Sequence, residues 1–390
     1  MLHAVNPQYQ TIEKMRVLIT GANGFIGQNL MLHLTGRSDV QVVRFARNDP
    51  SESLERLLEG VSVVFHLAGV NRPDDPAEFT SGNTDLTRQL CRVATAVART
   101  TGQAISILYA SSIQAAQDNA YGNSKRKAEL ILTETERTEP LIRVGVFRLP
   151  NVFGKWCRPN YNSVVATFCH HIARDLPIQV NDPSSELTLV YIDDVIQAFL
   201  RFMDGLVPPV DAGGFAQVLP QYQTSVGELA AWIQSFRDGK NSLLIQRVGT
   251  GLVRALYATY VSYLPVTAFA YDVPQHGDRR GVFVEMLKTF DSGQVSFFTA
   301  HPGVTRGGHY HHSKTEKFLV VRGRALFRFR HMQTGQEHQL QTSGDKSQIV
   351  ETVPGWTHDI TNIGDEEMIV MLWANEVFDP LQPDTYPCPL

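Results

Sequence analysis

Apolar and polar positions along this chain follow two rhythms, and the change falls near residue 270. From Met15 onward, short apolar runs are separated by stretches with helical periodicity. Strands are expected at 16–20, 40–45, 61–66, 105–110 and 144–149, and helices at 25–34, from about 51, at 84–101 and at 121–136. Strands at this spacing predict a doubly wound α/β fold, a parallel sheet with helices on both faces. After a helical stretch at 251–263 and Pro265, runs at 281–289, 294–300, 317–322, 325–330, 348–353 and 368–373 are punctuated by Gly or Pro. No helix of reasonable length intervenes, which predicts an all-β sandwich or barrel. The boundary near 268 gives domains 15–267 and 268–390, and residues 1–14 read as a polar leader without pattern.

Composition narrows the function classes. A length of 390 residues allows two or three domains, and 43% hydrophobic residues suffice for real cores. The net charge of −4 provides no broad basic face, so nucleic acid is excluded as a partner. No apolar stretch reaches membrane-spanning length and no signal-peptide pattern opens the chain, which predicts a soluble cytoplasmic protein without membrane insertion. Cys91, Cys157, Cys169 and Cys388 form no CxxC pair and read as reduced thiols. Eight of the 13 histidines fall in the last 120 residues, and that imbalance calls for chemistry.

The first strand ends in Thr20-Gly21-Ala22-Asn23-Gly24-Phe25-Ile26-Gly27 and opens the first helix. Glycines there let the backbone turn tightly against a pyrophosphate resting on the helix N-terminus. Leu67-Ala68-Gly69 follows a strand on the same sheet edge, and Tyr121 and Lys125 lie one helical turn apart. A Lys ammonium beside a phenol lowers its pKa, so the phenol can exchange a proton with a ketone or carbinol. Ser112, or its neighbour Ser111, would hold the same oxygen. These motifs resemble the extended short-chain dehydrogenase/reductase family, with its Rossmann-like sheet, over roughly 15–265. The resemblance implies Tyr121 as acid/base, Lys125 as its tuner and ribose ligand, and Ser112 as oxygen partner. It implies cofactor contacts from Gly21, Asn23, Gly24, Phe25, Ile26, Gly27, Leu67, Ala68 and Gly69, and substrate contacts from Asn83, Arg148 and Asn151. The chain departs from the family in a shorter gap between Ser112 and Tyr121. It also has Arg44 and Arg47 where an acidic residue would bond a ribose 2′-OH, which favours NADPH over NADH.

The late histidines fall into a pattern: His309-Tyr-His311 and Glu316, then His358 from a later strand. His309 and His311 are expected to alternate on one strand and point inward together. Three imidazoles and a carboxylate make a site for Zn, Fe, Mn or Ni, and Zn is the expected ion. The pattern is very similar to the two-part cupin motif, with one residue fewer than usual between Pro354 and His358. His312 reads as either exposed or substrate-facing. Asp278-Arg279-Arg280-Gly281-Val-Phe283-Val-Glu285 resembles a nucleotide-sugar 3,5-epimerase segment, which implies Arg280 as a diphosphate ligand.

A reductase half joined to a metal cupin resembles the bifunctional CapF family of bacterial capsule and O-antigen synthesis. The resemblance implies C3 epimerisation of a 4-keto UDP-sugar in the cupin domain, with His312 a candidate base, and NADPH reduction of the C4 ketone in the other. It also implies a homodimer, for which Phe297, Phe298, Phe327 and Phe329 could supply an interface. Rival readings are an epimerase or dehydratase with a structural cupin, a cofactor-sensing protein without turnover, and a cupin dioxygenase.

Overall fold

A computed structural model describes residues 14–390 apart from 47, 51, 74, 76, 274, 279–280, 285–286, 290–292 and 377–380. For 275–278, 281–284, 288–289 and 294 the description is of the backbone. By packing, the chain forms two compact units. One runs to Pro150 and adds Asp194–Leu219, and the other comprises Asn151–Asp193 and Pro220–Leu390.

The elements of the first stretch are β1 (Met15–Thr20), α1 (Phe25–Thr35), β2 (Val40–Phe45), α2 (Ser53–Leu58), β3 (Val61–His66), α3 (Ala77–Phe79), α4 (Leu86–Thr101), β4 (Ile105–Ser112), α5 (Ala120–Thr138) and β5 (Ile142–Leu149). Then follow β6 (Asn151–Phe153), α6 (Val164–Ile172), β7 (Glu186–Tyr191), α7 (Ile192–Met203), β8 (Tyr222–Ser225), α8 (Val226–Ser242), β9 (Leu244–Ile245) and α9 (Gly251–Ser262). The remaining strands are β10 (Ala270–Asp272), β11 (Gln275–Asp278), β12 (Gly281–Val284), β13 (Lys288–Thr289), β14 (Gln294–Ala300), β15 (Thr305–Tyr310) and β16 (Glu316–Arg322). They continue as β17 (Arg324–His331), β18 (Glu337–Ser343), β19 (Gln348–Glu351), β20 (Trp356–Asn362), β21 (Met368–Ala374) and β22 (Tyr386–Pro387).

In the first unit β2-β1-β3-β4-β5 form a wholly parallel sheet. Successive strand residues point to opposite faces, and both faces are covered. Leu18, Val64 and Ile107 pack with Leu54, Leu58, Leu90, Ala94, Ala128 and Leu132 of α2, α4 and α5. On the other side Phe65 and Phe147 meet the Phe199 ring at centroid distances of 6.4 and 5.1 Å. The sheet is the predicted doubly wound, Rossmann-like one. Its order reverses direction between β1 and β3, and ligands of such sheets sit beyond the strand carboxyl ends at that point.

The second unit holds a small sheet β6-β7-β8, three helices and two five-stranded sheets, β10-β19-β16-β21-β14 and β18-β17-β20-β15-β22. The pairings within both larger sheets are antiparallel, the all-β cupin-like arrangement predicted for the C-terminal part. Alternation is clear along β17, where Ala325, Phe327 and Phe329 point inward between partly exposed neighbours. Phe327 and Phe329 are therefore core residues, so of the four phenylalanines considered for an interface these two are unsuited to it. The packing units cut the chain elsewhere than the expected boundary near 268. Lys240 of α8 lies 3.3 Å from Glu351 of β19, and Lys317 of β16 bonds that same carboxylate. Those buried ion pairs tie the helices after Pro220 to the antiparallel strands.

Candidate active sites

In the first unit the strand carboxyl ends carry the predicted motifs. Gly21 turns with φ +71°, and a Cβ there would come within 2.6 Å of the Ala68 nitrogen. A Cβ on Gly27 would run into the Gly21 carbonyl. Gly21 is required by close approach of the Leu67–Ala68 backbone, and Gly27 by the Gly21–Ala22 backbone of the turn itself. Gly24 caps α1 without a side chain, and Phe25 and Ile26 open its first turn. That leaves the helix N-terminus, with Asn23 exposed beside it, open to an anion. Arg44 is exposed near the end of β2, and Arg47 lies outside the described residues.

Below this turn a buried chain of hydrogen bonds fixes the floor. Thr20 Oγ1 and His66 Nδ1 are 2.8 Å apart, His66 Nε2 and Thr87 Oγ1 also 2.8 Å, and Thr87 Oγ1 donates to the Asn83 carbonyl at 2.7 Å. Thr87 has one proton to give, so His66 must donate from Nε2 and accept at Nδ1. Burial pushes His66 down to about 3, with the Lys125 charge adding to the effect, and the ring is neutral. Asn83 was expected to touch substrate, but the structure assigns it another task. It is 1% exposed, and its amide clamps both backbone groups of Val70 at 2.8 and 2.9 Å and the Ser124 hydroxyl at 2.9 Å. It sits in a π-helical turn, Thr80–Asp85, that leads into α4.

Tyr121 bonds Ser112, and Lys125 follows one turn later on α5. Burial raises the Tyr121 phenol above its ordinary value, and its hydrogen bond with Ser112 opposes that only in part. Lys125 was expected to lower the phenol. Instead its ammonium donates to the Ala110 carbonyl at 3.0 Å and lies 4.8 Å over the Tyr109 ring. Burial draws Lys125 itself down to about 8. Ser111 is otherwise engaged, donating to Glu129 at 2.5 Å, while Ser112 bonds the Tyr121 phenol. Arg148, also expected at the substrate, forms a two-bond pair with Glu129 at 3.0 and 2.6 Å. The short gap before Tyr121 is closed by a 3₁₀ turn, Ile113–Ala116, and by Asn119 capping α5. Gly122 is needed there because a Cβ would strike the Gln114 and Gln117 carbonyls.

In the second unit His309, His311, Glu316 and His358 converge, with one ligand atom from each lying within 4.8 Å of the others. Strands β15 and β20 place His309 and His358 as register partners, and β16 of the other sheet begins with Glu316. His311 does not share a strand with His309, since β15 ends at Tyr310. A register shift between Gly307 and His309, at two glycines with positive φ, bends the chain so that His311 still reaches the cluster. His311 Nε2 lies 3.0 Å from Glu316 Oε2, while its Nδ1 donates to the Asp384 carbonyl at 2.5 Å. Both ring nitrogens of His358 are buried without a hydrogen-bond partner among the described residues. Orphaned nitrogens beside a buried carboxylate, with a neighbouring ring held by a backbone carbonyl, fit a divalent metal ion. Burial lowers His309 to about 3 and lowers His358 too, which keeps imidazole lone pairs available. Glu316 is raised by burial, yet the His311 charge, the His311 hydrogen bond and the His358 ring 3.6 Å away hold it well below the carboxylate range.

The sequence reading missed Asp384. Its carboxylate accepts from His312, Ser313 and Lys314 nitrogens at 2.8, 2.7 and 2.6 Å and from the Ser313 hydroxyl at 3.0 Å. His312 is 3% exposed, which removes the solvent-exposed alternative, and its Nδ1 is 3.8 Å from Asp193 Oδ1. Asp193 also accepts from Lys155 at 2.8 Å. Asn151 opens β6 as an exposed residue, and Arg280 lies outside the described residues.

Residues 17–209 match the NAD dependent epimerase/dehydratase family, and 276–386 match the polysaccharide biosynthesis C-terminal domain. Over 374 residues the chain is 59% identical to the UDP-2-acetamido-2,6-beta-L-arabino-hexul-4-ose reductase of Pseudomonas aeruginosa, covering 96% of this chain and 98% of that one. The crystal structure of the capsular polysaccharide assembling protein CapF from Staphylococcus aureus aligns with TM-score 0.66 and 42% identity, covering 96% of this chain and all of that one. The chain belongs to the CapF family. A more distant likeness, 25% identity over 120 residues, is to the Bacillus subtilis spore coat polysaccharide biosynthesis protein SpsL, covering 28% of this chain and 80% of that one. No helix among the described residues is long and apolar enough to cross a membrane.

Proposed function

We propose that this chain is a bifunctional nucleotide-sugar enzyme. It epimerises C3 of a UDP-2-acetamido-2,6-dideoxy-4-keto-hexose and reduces the C4 ketone with NADPH. The product would be UDP-N-acetyl-6-deoxy-L-talosamine, toward UDP-N-acetyl-L-fucosamine for capsule or O-antigen polysaccharide. One observation carries the reading: two chemically complete residue sets, Ser112–Tyr121–Lys125 and His309–His311–Glu316–His358, lie on a chain matching a UDP-hexulose reductase along nearly its whole length.

NADPH, when bound, supplies the hydride to C4. Gly21, Gly24 and Gly27 let its pyrophosphate approach the α1 N-terminus, and Arg44 with Arg47 would meet a 2′-phosphate. Ser112 holds the C4 oxygen, and Tyr121, kept protonated by burial, delivers the proton that completes the alcohol. Lys125 serves as the charged group behind the phenol and as ribose ligand. A divalent ion, most simply zinc, would polarise the ketone in the second site. We assign removal of the C3 proton to His312, whose ring lies beside Asp193, and a solvent-derived proton delivered to the opposite face inverts C3. Arg280 is proposed as a diphosphate ligand.

Incubation with the 4-keto UDP-sugar in D₂O tests both steps. Deuterium at C3 without NADPH, and an alcohol only with it, is the expected result. Consumption of NADPH with no C3 exchange under any metal loading would sink the epimerase half.

The same reading includes a cytoplasmic homodimer. Strand β14 stands at the edge of its sheet and exposes Phe297 (70%) and Val295 (55%). Phe297→Asp should shift the protein toward monomer in analytical ultracentrifugation, and an unchanged mass would remove β14 from the interface.

A further inference from the structure

Helix α5 carries Tyr121, Lys125 and Glu129 at four-residue spacing, so the three side chains stack along one face. The reaction derived above uses the first two and leaves the third unexplained. Glu129 is 2% exposed, and its carboxylate is fully held. Ser111 Oγ and Arg148 Nε donate to Oε1 at 2.5 and 3.0 Å, and Arg148 Nη2 donates to Oε2 at 2.6 Å. Arg148 is itself fixed, its guanidinium stacked 3.5 Å from the Phe215 ring centre.

Lys125 is the group that needs such an anion. Its hydrogen-bond acceptor, the Ala110 carbonyl, is neutral. Burial draws the ammonium down to about 8, and the charge of Glu129 opposes that fall. Several titratable groups surround it. His66 on β3 is neutral, Tyr109 on β4 is raised by burial, Tyr121 precedes it on α5, and Arg148 on β5 is paired to Glu129. Glu129 is the anion among them.

We propose that Glu129 is a positioning residue of the reductase centre: clamped by Arg148 and Ser111, its carboxylate keeps the Lys125 ammonium charged in a site closed to water. By bonding Ser111 it also anchors the strand end that presents Ser112. Glu129 touches neither substrate nor cofactor and acts through Lys125, so the inference rests on the reductase role given to Tyr121 and Lys125.

The test is the titration of Lys125 itself, followed by ¹⁵N NMR of Nζ in the full-length protein without substrate, with Lys125→Arg assigning the signal. The pH profile of NADPH-dependent reduction is measured in parallel. Glu129→Gln should lower the Lys125 midpoint by about one pH unit or more, and the alkaline limb of reduction should move the same way. Arg148→Met leaves the carboxylate without its counter-cation and should move both upward. Should Glu129→Gln fail to fold, the upward movement in Arg148→Met decides alone. A purely structural role would reduce activity at every pH with the midpoint in place, and an unmoved midpoint overturns the proposal. A wild-type chain that reduces no ketone, yet shows the midpoint movement, refutes the reductase reading and leaves the Glu129–Lys125 link standing.

Discussion

Burial acts on Tyr121, Lys125 and His66 in one direction, toward the neutral form of each. For a reductase this suits Tyr121, because a phenol that must deliver a proton has to hold it at neutral pH. Tyr121→Phe should lower reduction by about 10²–10⁴-fold. Cofactor fluorescence should report binding intact and C3 exchange should continue; loss of exchange as well would mean that the two sites are not separable. His66 makes a stability prediction. Its folded value, about 3, lies below the ordinary 6.5, so the unfolded chain takes up a proton that the folded one refuses. The contribution is complete above pH 6.5 and is lost as pH falls toward 3, by about 1.4 kcal/mol per pH unit in between. Urea midpoints from pH 7.5 to 4.5 should fall accordingly, and His66→Gln should flatten that slope. An equal slope in the variant would assign the acid sensitivity elsewhere.

At the scale of elements, both sites depend on segments that turn rather than on the strands themselves. The β1–α1 turn needs Gly21 and Gly27 because backbone lies where side chains would be. The 311–314 loop is held by one carboxylate from near the C-terminus, Asp384, burial of which is outweighed by the His311 and His312 charges and by backbone donors, so that it sits at about 2. Asp384→Ala removes those four acceptor contacts and leaves the His311 ring poorly aimed. Metal affinity should fall about 10–100-fold, read as metal per chain after competition with a chelating dye. A variant with full metal retention would show that the loop holds itself. The strands of both halves were legible from their apolar rhythm, as were the Gly-rich turn and the Tyr121–Lys125 pair. The placement of His311 beyond the end of β15 was not, because a register shift at two glycines changes the two-residue period on which the expectation rested. The family resemblance put Asn83 and Arg148 at the substrate, whereas their partners within the chain, Val70, Ser124 and Glu129, could be recognised only once it had folded. Glu129 had a readable signal in its spacing from Lys125, but its partner Arg148 is 19 residues away on β5.

Across the whole molecule the two proposed chemistries would draw on separate residue sets, Ser112–Tyr121–Lys125 and His309–His311–Glu316–His358. Prolonged dialysis against a strong chelator should abolish C3 exchange, lower the thermal transition of the second unit by several degrees and leave reduction of an already epimerised ketone unchanged. Restoring zinc should recover exchange; persistence of exchange in metal-free protein would refute a metal role in that step.

Sequence alone determined what lies along the chain in order: a parallel α/β half, an antiparallel half, and the glycine, Tyr–Lys and histidine motifs, because periodicity and short motifs are local properties. It also set three of the eight histidines in the last 120 residues, His309, His311 and His358, beside Glu316 as ligand candidates, and left His276, His301, His331 and His338 without a role. The tertiary structure decided what each group faces. It gave Tyr121 a raised phenol and Lys125 a glutamate counter-charge, brought Asp384 to the 311–314 loop, and packed 151–193 and 220–267 with the antiparallel strands. Those outcomes depend on burial and on partners distant in sequence, and neither exists until the chain has folded.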